Sequence, residues 1–323
     1  MKINFLKSSI IFLGIILFVI LYLSIIGIET KKFNQQIKDK VTQSNKNLNI
    51  ELNKVKLTLD PLKFTVNAKT IGATIYYLHR PLELEYIQTN VSIDSIFKNK
   101  LVSSNFKIAS RSILLKDLIK FTRSITFKPE LLILETMIKD GHVILNLNLN
   151  LDKEGKIKND YEIKGKLKEG KIKFIKNINF EKVEFLFNLK EKKYTFKDIK
   201  FSSDKANFNS NLLKIIKIND NHVIEGELEN SKSNLSKNFI KLFNLNFKNF
   251  DIKNTKFSSK NNFVFHFNKK FKFENLKVES QINFNQILYK NKNNLSDYFP
   301  DLKNDFLLKN YNLKSKYEKK ILS

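Results

Sequence analysis

Residues 143–151 read Val-Ile-Leu-Asn-Leu-Asn-Leu-Asn-Leu, with leucine and asparagine alternating from Leu145 onward. Because successive side chains of a β-strand point to opposite faces, this period of two predicts a strand with one apolar and one polar face. We expect Leu145, Leu147 and Leu149 to lie on the apolar face. Such strands are typical of an antiparallel sheet with one face in water.

The same alternation recurs on both sides of this stretch. It begins at Ile50, and clear later examples pair Phe185 with Phe187 and Phe263 with Phe265. Short alternating runs separated by Asp, Pro, Asn or Gly indicate a mainly β fold built from an antiparallel sheet. The apolar face of such a sheet must be covered, so the sheet closes on itself, packs on a second sheet or holds lipid. The pattern alone leaves these three arrangements open.

Clusters of Lys, Glu, Asp, Asn and Gly mark the predicted turns between strands. These turns are predicted at residues 139–141, 168–170, 191–193 and 219–222. Near the end of the sequence, Phe306 and Leu308, then Tyr311 and Leu313, predict a last pair of strands. No capping element follows them, so we expect an exposed sheet edge that a continuation of the chain or a partner strand would cover.

Two segments have apolar residues at helical spacing instead. A short helix is predicted over residues 112–124, with Ser112 as a candidate N-cap, and another over Ser233–Phe243. These helices predict that the sheet is subdivided near residues 112–130 and 231–245.

An uncharged apolar stretch of nineteen residues runs from Ile10 to Ile28. As a helix it would be roughly 28 Å long, about the thickness of the hydrocarbon core of a bilayer. We interpret residues 1–30 as an uncleaved membrane anchor. A cleaved signal peptide is an alternative, but no Ala-x-Ala site follows the stretch; a buried core helix, the third interpretation, is usually shorter and polar on one face. The apolar positions assigned to the anchor are Ile10, Leu17, Ile20 and Ile28.

Residues 31–47 are polar, with sparse apolar positions at Phe33, Ile37 and Val41. Their spacing of four predicts a short helix or a stalk that leaves the membrane. Residues 48–323 then form the predicted β domain.

The formal net charge of +26 over 323 residues is high, but its composition disfavours a nucleic-acid partner. Arg80, Arg111 and Arg123 are the only arginines among 58 basic residues. Nucleic-acid sites usually use arginine for bidentate contacts, so we predict no nucleic-acid binding. The lysines suit either a solvated surface or weak attraction to anionic lipid head groups. Lysines lie on both sides of the apolar stretch, with more of them just after it. The positive-inside count alone slightly favours the cytoplasm for the C-terminal side, but lysine is abundant throughout, so the orientation in a membrane stays open.

The polar residues show no catalytic or metal-binding pattern. The four histidines are scattered without His-x-x-x-His spacing, and there is no cysteine for a disulfide or a thiolate site. No Gly-x-Ser-x-Gly, phosphate-binding or dinucleotide motif occurs. Glu83 and Glu85 would share one strand face, which suits a solvated surface. We therefore predict no enzyme activity, no catalytic or metal-binding residue and no cofactor.

The order of these features resembles the AsmA-like family of inner-membrane-anchored envelope proteins. The residues that carry the resemblance follow the apolar stretch and the polar stalk. They read Ile50-Glu51-Leu52-x-x-Val55-x-Leu57-x-Leu59-Asp60-Pro61, then Leu82-x-Leu84-x-Tyr86-Ile87, and then Val91-x-Ile93-x-x-Ile96-Phe97-x-x-x-Leu101. Residues 161–167 and 223–228 resemble the repeated strands of the family.

The resemblance implies a fold, a location and a function. The fold would be a single transmembrane helix followed by an elongated, curved, groove-like antiparallel sheet, with the bulk of the chain in the periplasm. The groove would shelter and transfer phospholipid or support outer-envelope homeostasis. The alternative is a structural or assembly factor of the envelope without a lipid ligand. The partners would be membrane lipids, and other envelope proteins joined by strand addition. The residues expected to face lipid are Leu145, Leu147, Leu149, Phe185, Phe187, Phe263 and Phe265.

Overall fold

The chain is mainly β in the computed structural model: an apolar N-terminal helix is followed by an antiparallel sheet and a few short helices, which confirms the predicted fold class. The structure describes residues 2–44, 46–94, 103–126, 128–152, 158–173, 179–204, 206–219, 221–235, 250–251, 255–268, 273–290, 297–301 and 305–321. The chain divides into two compact units. The first comprises Met1–Leu132 and Val143–Gly165, and the second comprises Ile133–His142 and Lys166–Ser323.

The helices and strands follow one another in a fixed order along the chain. They are α1 (Lys2–Ile25), β1 (Ile28–Thr30), α2 (Asn34–Ser44), β2 (Leu48–Glu51), β3 (Lys54–Asp60), β4 (Thr65–Ile71), β5 (Thr74–Tyr77), β6 (Arg80–Ser92), β7 (Ser103–Ser110), β8 (Ile113–Leu114), α3 (Leu115–Ile125), α4 (Pro129–Met137), β9 (Ile138–Asn150), β10 (Glu162–Lys173), β11 (Asn179–Lys190), β12 (Lys193–Ser203), β13 (Ala206–Ile218), β14 (Asn221–Asn234), β15 (Phe250–Asp251), β16 (Lys256–Asn268), β17 (Phe273–Lys290) and β18 (Asp305–Ile321).

Among the described residues, α1 is the only helix that is long and apolar enough to cross a membrane, over Lys7–Ile25. By length and composition it suits a membrane anchor and a signal sequence alike. The predicted anchor residues Ile10, Leu17 and Ile20 lie in it. Ile28, which the prediction also assigned to the anchor, lies outside this helix, because the helix ends at Ile25 and Ile28 begins strand β1.

Gly27 explains why the helix stops there. The N–H groups of Ile26 and Gly27 both donate to the carbonyl oxygen of Tyr22, at 2.9 and 3.1 Å, and Gly27 then adopts a left-handed φ of +73°. A glycine in this conformation commonly ends a helix. The chain turns directly into β1, where Ile28 pairs with Leu57 of β3.

The predicted stalk contains a helix, α2, but this helix is not a free spacer. Its residues Ile37 and Val41 pack on a buried cluster of Ile50, Ala73 and Leu84. The predicted short helix is therefore confirmed, and its regularly spaced apolar residues form the face that packs on the sheet.

The first unit contains a run of antiparallel strand pairs. β1 pairs with β3, β3 with β4, β4 with β6, β6 with β7, and β7 with β9, while β5 pairs with β2 and β6. Buried apolar residues in this unit include Val55, Leu84 and Val91.

The helix predicted over residues 112–124 is confirmed as α3, but its cap is different. The N-cap residue is Leu114, which makes no side-chain cap hydrogen bond, so the assignment of Ser112 as the cap is wrong. Helix α4 was not predicted, because four consecutive apolar residues from Leu131 to Leu134 hide its period. The helix predicted from Ser233 is wrong at its start, since Ser233 lies in β14; residues 236–243 lie outside the described residues.

In the second unit, β11 to β14 pair in sequence, β14 pairs with β16, and β17 pairs with β15, β16 and β18. The turn predicted at residues 191–193 is confirmed between β11 and β12. The turn predicted at residues 219–222 is confirmed between β13 and β14.

Two other predicted turns are wrong, because residues 139–141 lie inside β9 and residues 168–170 lie inside β10. Their glycines serve close packing instead. A β-carbon added at Gly141 would stand 3.0 Å from the Cα of Gly170, and one added at Gly170 would stand 3.0 Å from the Cβ of Val183. Glycine inside a strand allows backbones to approach this closely.

The last predicted strand pair is in fact a single strand, β18, which pairs with β17 from Asp305 to Ile321. Asn310 has a left-handed φ of +50° in the middle of β18, which accounts for the broken alternation between Leu308 and Tyr311. From Asp305 to Glu318, all side chains except that of Leu308 are exposed.

Candidate functional site

Apolar side chains of the second unit form rows that cross its strands. Residues directly opposed in an antiparallel pair lie on the same face of the sheet. One row is Phe187, Phe196, Leu213, Gly226, Phe263, Val278 and Tyr317. The row beside it is Leu189, Tyr194, Ile215, Ile224 and Phe265. We call the surface formed by these two rows the apolar face.

Aromatic rings contact one another along the apolar face. The ring of Phe185 lies 5.5 Å from that of Phe196 and 6.2 Å from that of Phe187, edge to face in both pairs. The rings of Phe263 and Phe265 are 6.0 Å apart. All five side chains are only half-buried. An apolar surface left partly open in this way is typical of a binding site for an apolar partner.

A polar band limits the apolar face on one side. Asn261, Ser280 and Ser315 are opposed across β16, β17 and β18. The Asn261 side-chain amide donates to the carbonyl oxygen of Leu228 at 3.0 Å, so this polar group of the band has a hydrogen-bond partner within the sheet.

Beyond the polar band, the same sheet carries a buried cluster. Leu235, Phe257 and Phe284 form it, and Ile282 packs against it. The cluster is a covered core, in contrast to the half-open apolar face.

The opposite face of the sheet is charged. Lys214 and Glu225 form a cross-strand ion pair at 2.8 Å between β13 and β14. Further pairs join Lys260 to Glu229 at 2.8 Å, Lys316 to Glu279 at 3.1 Å and Lys277 to Glu318 at 3.6 Å. The hydrogen bond that Lys260 donates to Glu229 raises the pKa of Lys260, and the hydrogen bond that Lys316 donates to Glu279 raises the pKa of Lys316. This face is therefore suited to water, which leaves the apolar face as the one that requires a cover.

Four of the predicted lipid-facing residues lie together in the second unit. Phe187 and Phe263 belong to one row of the apolar face and Phe265 to the next, while Phe185 joins them through its contacts with Phe187 and Phe196.

The other three predicted residues, Leu145, Leu147 and Leu149, lie on β9 within the first unit. Leu147 is opposed to Ile108, and Leu149 is opposed to Phe106. The backbone N–H of Leu145 donates to the Ser110 hydroxyl at 3.0 Å. The three leucines are half-buried and contribute to an apolar face of that unit.

Sequence reasoning missed several members of the apolar face, among them Leu213, Ile215 and Gly226. The segment from Leu212 to Ile216 reads Leu-Leu-Lys-Ile-Ile and has no period of two. A register shift between β13 and β14 lies at residues 209–213. Before it the buried side chains of β13 have even numbers, such as Phe208, and after it the residues of the apolar face have odd numbers, such as Leu213. No local sequence signal marks this shift.

His222 is the histidine with the most distinct environment among the described residues. Its ring stacks on that of Phe267 with centroids 4.6 Å apart, and its Nδ1 is buried without a hydrogen-bond partner in the described part of the chain. Burial lowers the pKa of His222, and the charge of Lys217 lowers it further. No group of three or more His, Asp or Glu residues in the described ranges is arranged to hold a metal ion.

No protein-family model, curated protein or solved structure matches the chain. The AsmA-like resemblance thus stays a prediction that rests on the apolar helix and the antiparallel sheet.

Proposed function

We propose that the chain is an AsmA-like envelope protein that shelters and transfers phospholipid along the apolar face. The observation that carries this proposal is the difference between the two faces of the sheet in the second unit. One face has cross-strand Lys–Glu pairs, and the other has two rows of Phe, Tyr, Leu and Ile, most of which are half-buried. Each methylene group of an acyl chain that such a face removes from water contributes about 0.8 kcal/mol.

In this proposal α1 remains as an anchor in the inner membrane, and the β units lie in the periplasm. The length of the helix supports this proposal, and so does its exposure, since no residue of Lys7–Ile25 is buried in the protein. The protein acts without covalent chemistry, and its ligands are membrane lipids. Support of outer-envelope homeostasis would follow from the transfer of these lipids.

A structural or assembly factor without a lipid ligand is the second candidate, and strand β18 favours it. β18 pairs with β17, and most of its side chains are exposed. An exposed strand is a template for addition of a strand from another protein. In this alternative the apolar face contributes to packing alone.

Two adjacent residues on opposite faces of β16 provide a matched test. Phe263 lies on the apolar face, whereas Val264 lies on the charged face opposite Glu225 and Lys277. We would purify the full chain, Phe263→Asp and Val264→Asp in the same mild detergent and quantify bound phospholipid by mass spectrometry. All three retain α1 and therefore the same lipid around the helix.

The proposal predicts that Phe263→Asp loses phospholipid relative to Val264→Asp and the unchanged chain. Circular dichroism of the same samples verifies that the sheet persists. Equal phospholipid in all three folded proteins would contradict lipid binding at the apolar face and favour the structural role.

A further inference from the structure

The turn between β3 and β4 exposes two large apolar side chains to an unusual degree. Leu62 is 92% exposed and Phe64 is 73% exposed, and they flank Lys63. Scattered exposed apolar residues are common on proteins, so exposure alone assigns no role to them. The position of this turn relative to α1 is what distinguishes it.

Strand pairing fixes that position. β1 runs antiparallel to β3, with Ile28 opposite Leu57 and Thr30 opposite Val55. Moving back along the chain from Ile28 into α1 therefore leads past Leu57 toward the later residues of β3. Gly27 agrees with this direction, since a β-carbon added there would stand 2.7 Å from the side chain of Thr58. The turn thus lies at the end of the sheet where α1 arrives.

The distance suits the surface of a bilayer. The extended chain from Leu57 to Asp60 covers about 10 Å, so the turn begins about 10 Å beyond the level of Ile28. α1 ends at Ile25, three residues before Ile28 in the chain. The head-group layer on each side of a bilayer is about 5–7 Å thick, so a turn at this distance reaches it if α1 spans the membrane.

Several polar groups of the turn have partners in the protein. The backbone N–H of Lys63 donates to Oδ1 of Asp60 at 3.2 Å, and the Lys63 ammonium lies 3.7 Å from Oδ2. Pro61 has no backbone N–H to desolvate. The carbonyl oxygen of Phe64 accepts a hydrogen bond from the N–H of Ile93 at 3.2 Å. These contacts reduce the cost of moving the turn from water into the head-group layer.

We propose that Leu62 and Phe64 insert into the head-group layer of the bilayer that α1 crosses, as a second membrane contact of the first unit. A single helix leaves the attached unit free to rotate and tilt on the membrane, and a second contact fixes its orientation. This inference rests on the anchoring role of α1 in the proposed function. It does not rest on lipid binding by the apolar face.

The absence of cysteine from the sequence makes the test direct. Leu62→Cys and Phe64→Cys in the full chain would each be labelled with the fluorophore NBD and reconstituted into vesicles of phosphatidylethanolamine and phosphatidylglycerol. Leu78→Cys is the matched control, because Leu78 is also an exposed residue with a left-handed φ in a hairpin turn of the first unit. Leu78 lies just before β6. Ile93, whose N–H donates to the carbonyl oxygen of Phe64, lies just after β6, so this strand separates the control site from the turn by roughly 40 Å of extended chain.

We expect labels at positions 62 and 64 to show blue-shifted emission and strong quenching by spin-labelled lipid in the vesicles, and the label at position 78 to show neither. Emission and quenching at 62 and 64 equal to those at 78 would overturn the proposal. Blue-shifted emission without quenching would also overturn it, because protein and not lipid would then shield the labels. Flotation of the same samples reports separately whether α1 anchors the chain, so a failure of the anchor and a failure of the turn are distinguished.

Discussion

The ring of Phe263 lies directly over Gly226, its partner across β14 and β16. A β-carbon added at Gly226 would stand 3.0 Å from Cζ of Phe263 and 3.3 Å from the carbonyl oxygen of Leu212. Glycine thus leaves the space that the aromatic ring occupies in the middle of the apolar face.

Gly226→Ala is expected to overpack this position. The added methyl group must displace the ring on one side or the backbone on the other, and overpacking of this kind costs about 1–3 kcal/mol. Urea denaturation of the full chain in detergent measures the change. Phe263→Leu removes the ring, so the double variant Gly226→Ala/Phe263→Leu should lose less than the sum of the two single changes. Additive losses would show that the ring and the glycine are not coupled.

Gly27→Ala is expected to weaken the junction between α1 and β3. The substitution places a side chain at φ +73° and against the carbonyl oxygen of Leu57, which is rigid backbone. The left-handed conformation alone costs about 1–2 kcal/mol for a residue with a β-carbon. Thermal denaturation in detergent should show a lower midpoint for this variant.

Gly14→Ala is the control for Gly27→Ala, because a β-carbon at Gly14 meets nothing within 4 Å. This change should leave the midpoint unchanged or raise it, since alanine favours a helix by up to about 1 kcal/mol over glycine. Equal effects of the two substitutions would contradict the close contact assigned to Gly27.

His222 is expected to make the stability of the second unit depend on pH. Its pKa in the folded chain lies below the ordinary value of 6.5, so the unfolded chain binds more protons between these two values. The contribution of His222 to the free energy of unfolding is therefore complete above pH 6.5, and it is lost as the pH falls toward the pKa of His222 in the folded chain. Urea denaturation across this range measures the loss.

His222→Phe tests the origin of this dependence, because phenylalanine can stack on Phe267 but cannot take up a proton. We expect the variant to lose less stability on acidification than the unchanged chain. The same slope of stability against pH in both proteins would assign the dependence to other groups.

Phe187→Asp is expected to reduce bound lipid more than it disturbs the fold. Phe187 is half-buried on the apolar face, so a carboxylate there can reach water once the lipid has left. We expect a folded variant destabilised by about 1–3 kcal/mol, with clearly less extracted phospholipid. In a closed core the same change would bury an unpaired charge and unfold the unit.

Leu186→Asp is the matched control on the same strand. Leu186 is 41% exposed and lies on the charged face of the sheet, where it is opposed to Lys197 of β12. The lipid content and the circular dichroism of the Leu186→Asp variant should equal those of the unchanged chain. Loss of the β signal in Phe187→Asp alone would show that this position is a closed core.

Much of the strand content could be predicted from the sequence, because alternation survives where strands are regular. Phe263, Phe265 and Phe267 alternate in the sequence and share a face in the structure. The apolar N-terminal helix and the short helix α3 were likewise predictable from composition and spacing.

Irregular strands account for the errors. Glu169 and Lys182 adopt left-handed φ values of +54° and +52° inside strands, although this conformation favours glycine, asparagine and aspartate. Gly141 and Gly170 carry the composition of turns but serve the close approach of strands. These features depend on neighbouring strands, which local sequence does not identify.

The apolar face was predictable only in part, for the same reason. Alternation indicates that Phe187 and Phe263 are each on an apolar side of a strand. It does not show that Phe196, Leu213 and Gly226 lie between them in one row, since this depends on strand order and register.

Photo-crosslinking of lipid to single positions tests the central claim most directly. Benzoylphenylalanine would replace Phe187 or Phe265 on the apolar face, and Leu186 or Val264 on the charged face, in the full chain in membranes. We predict that irradiation joins phospholipid to positions 187 and 265 and not to positions 186 and 264. Equal crosslinking at all four positions, or none at 187 and 265, would contradict a lipid-binding role of the apolar face.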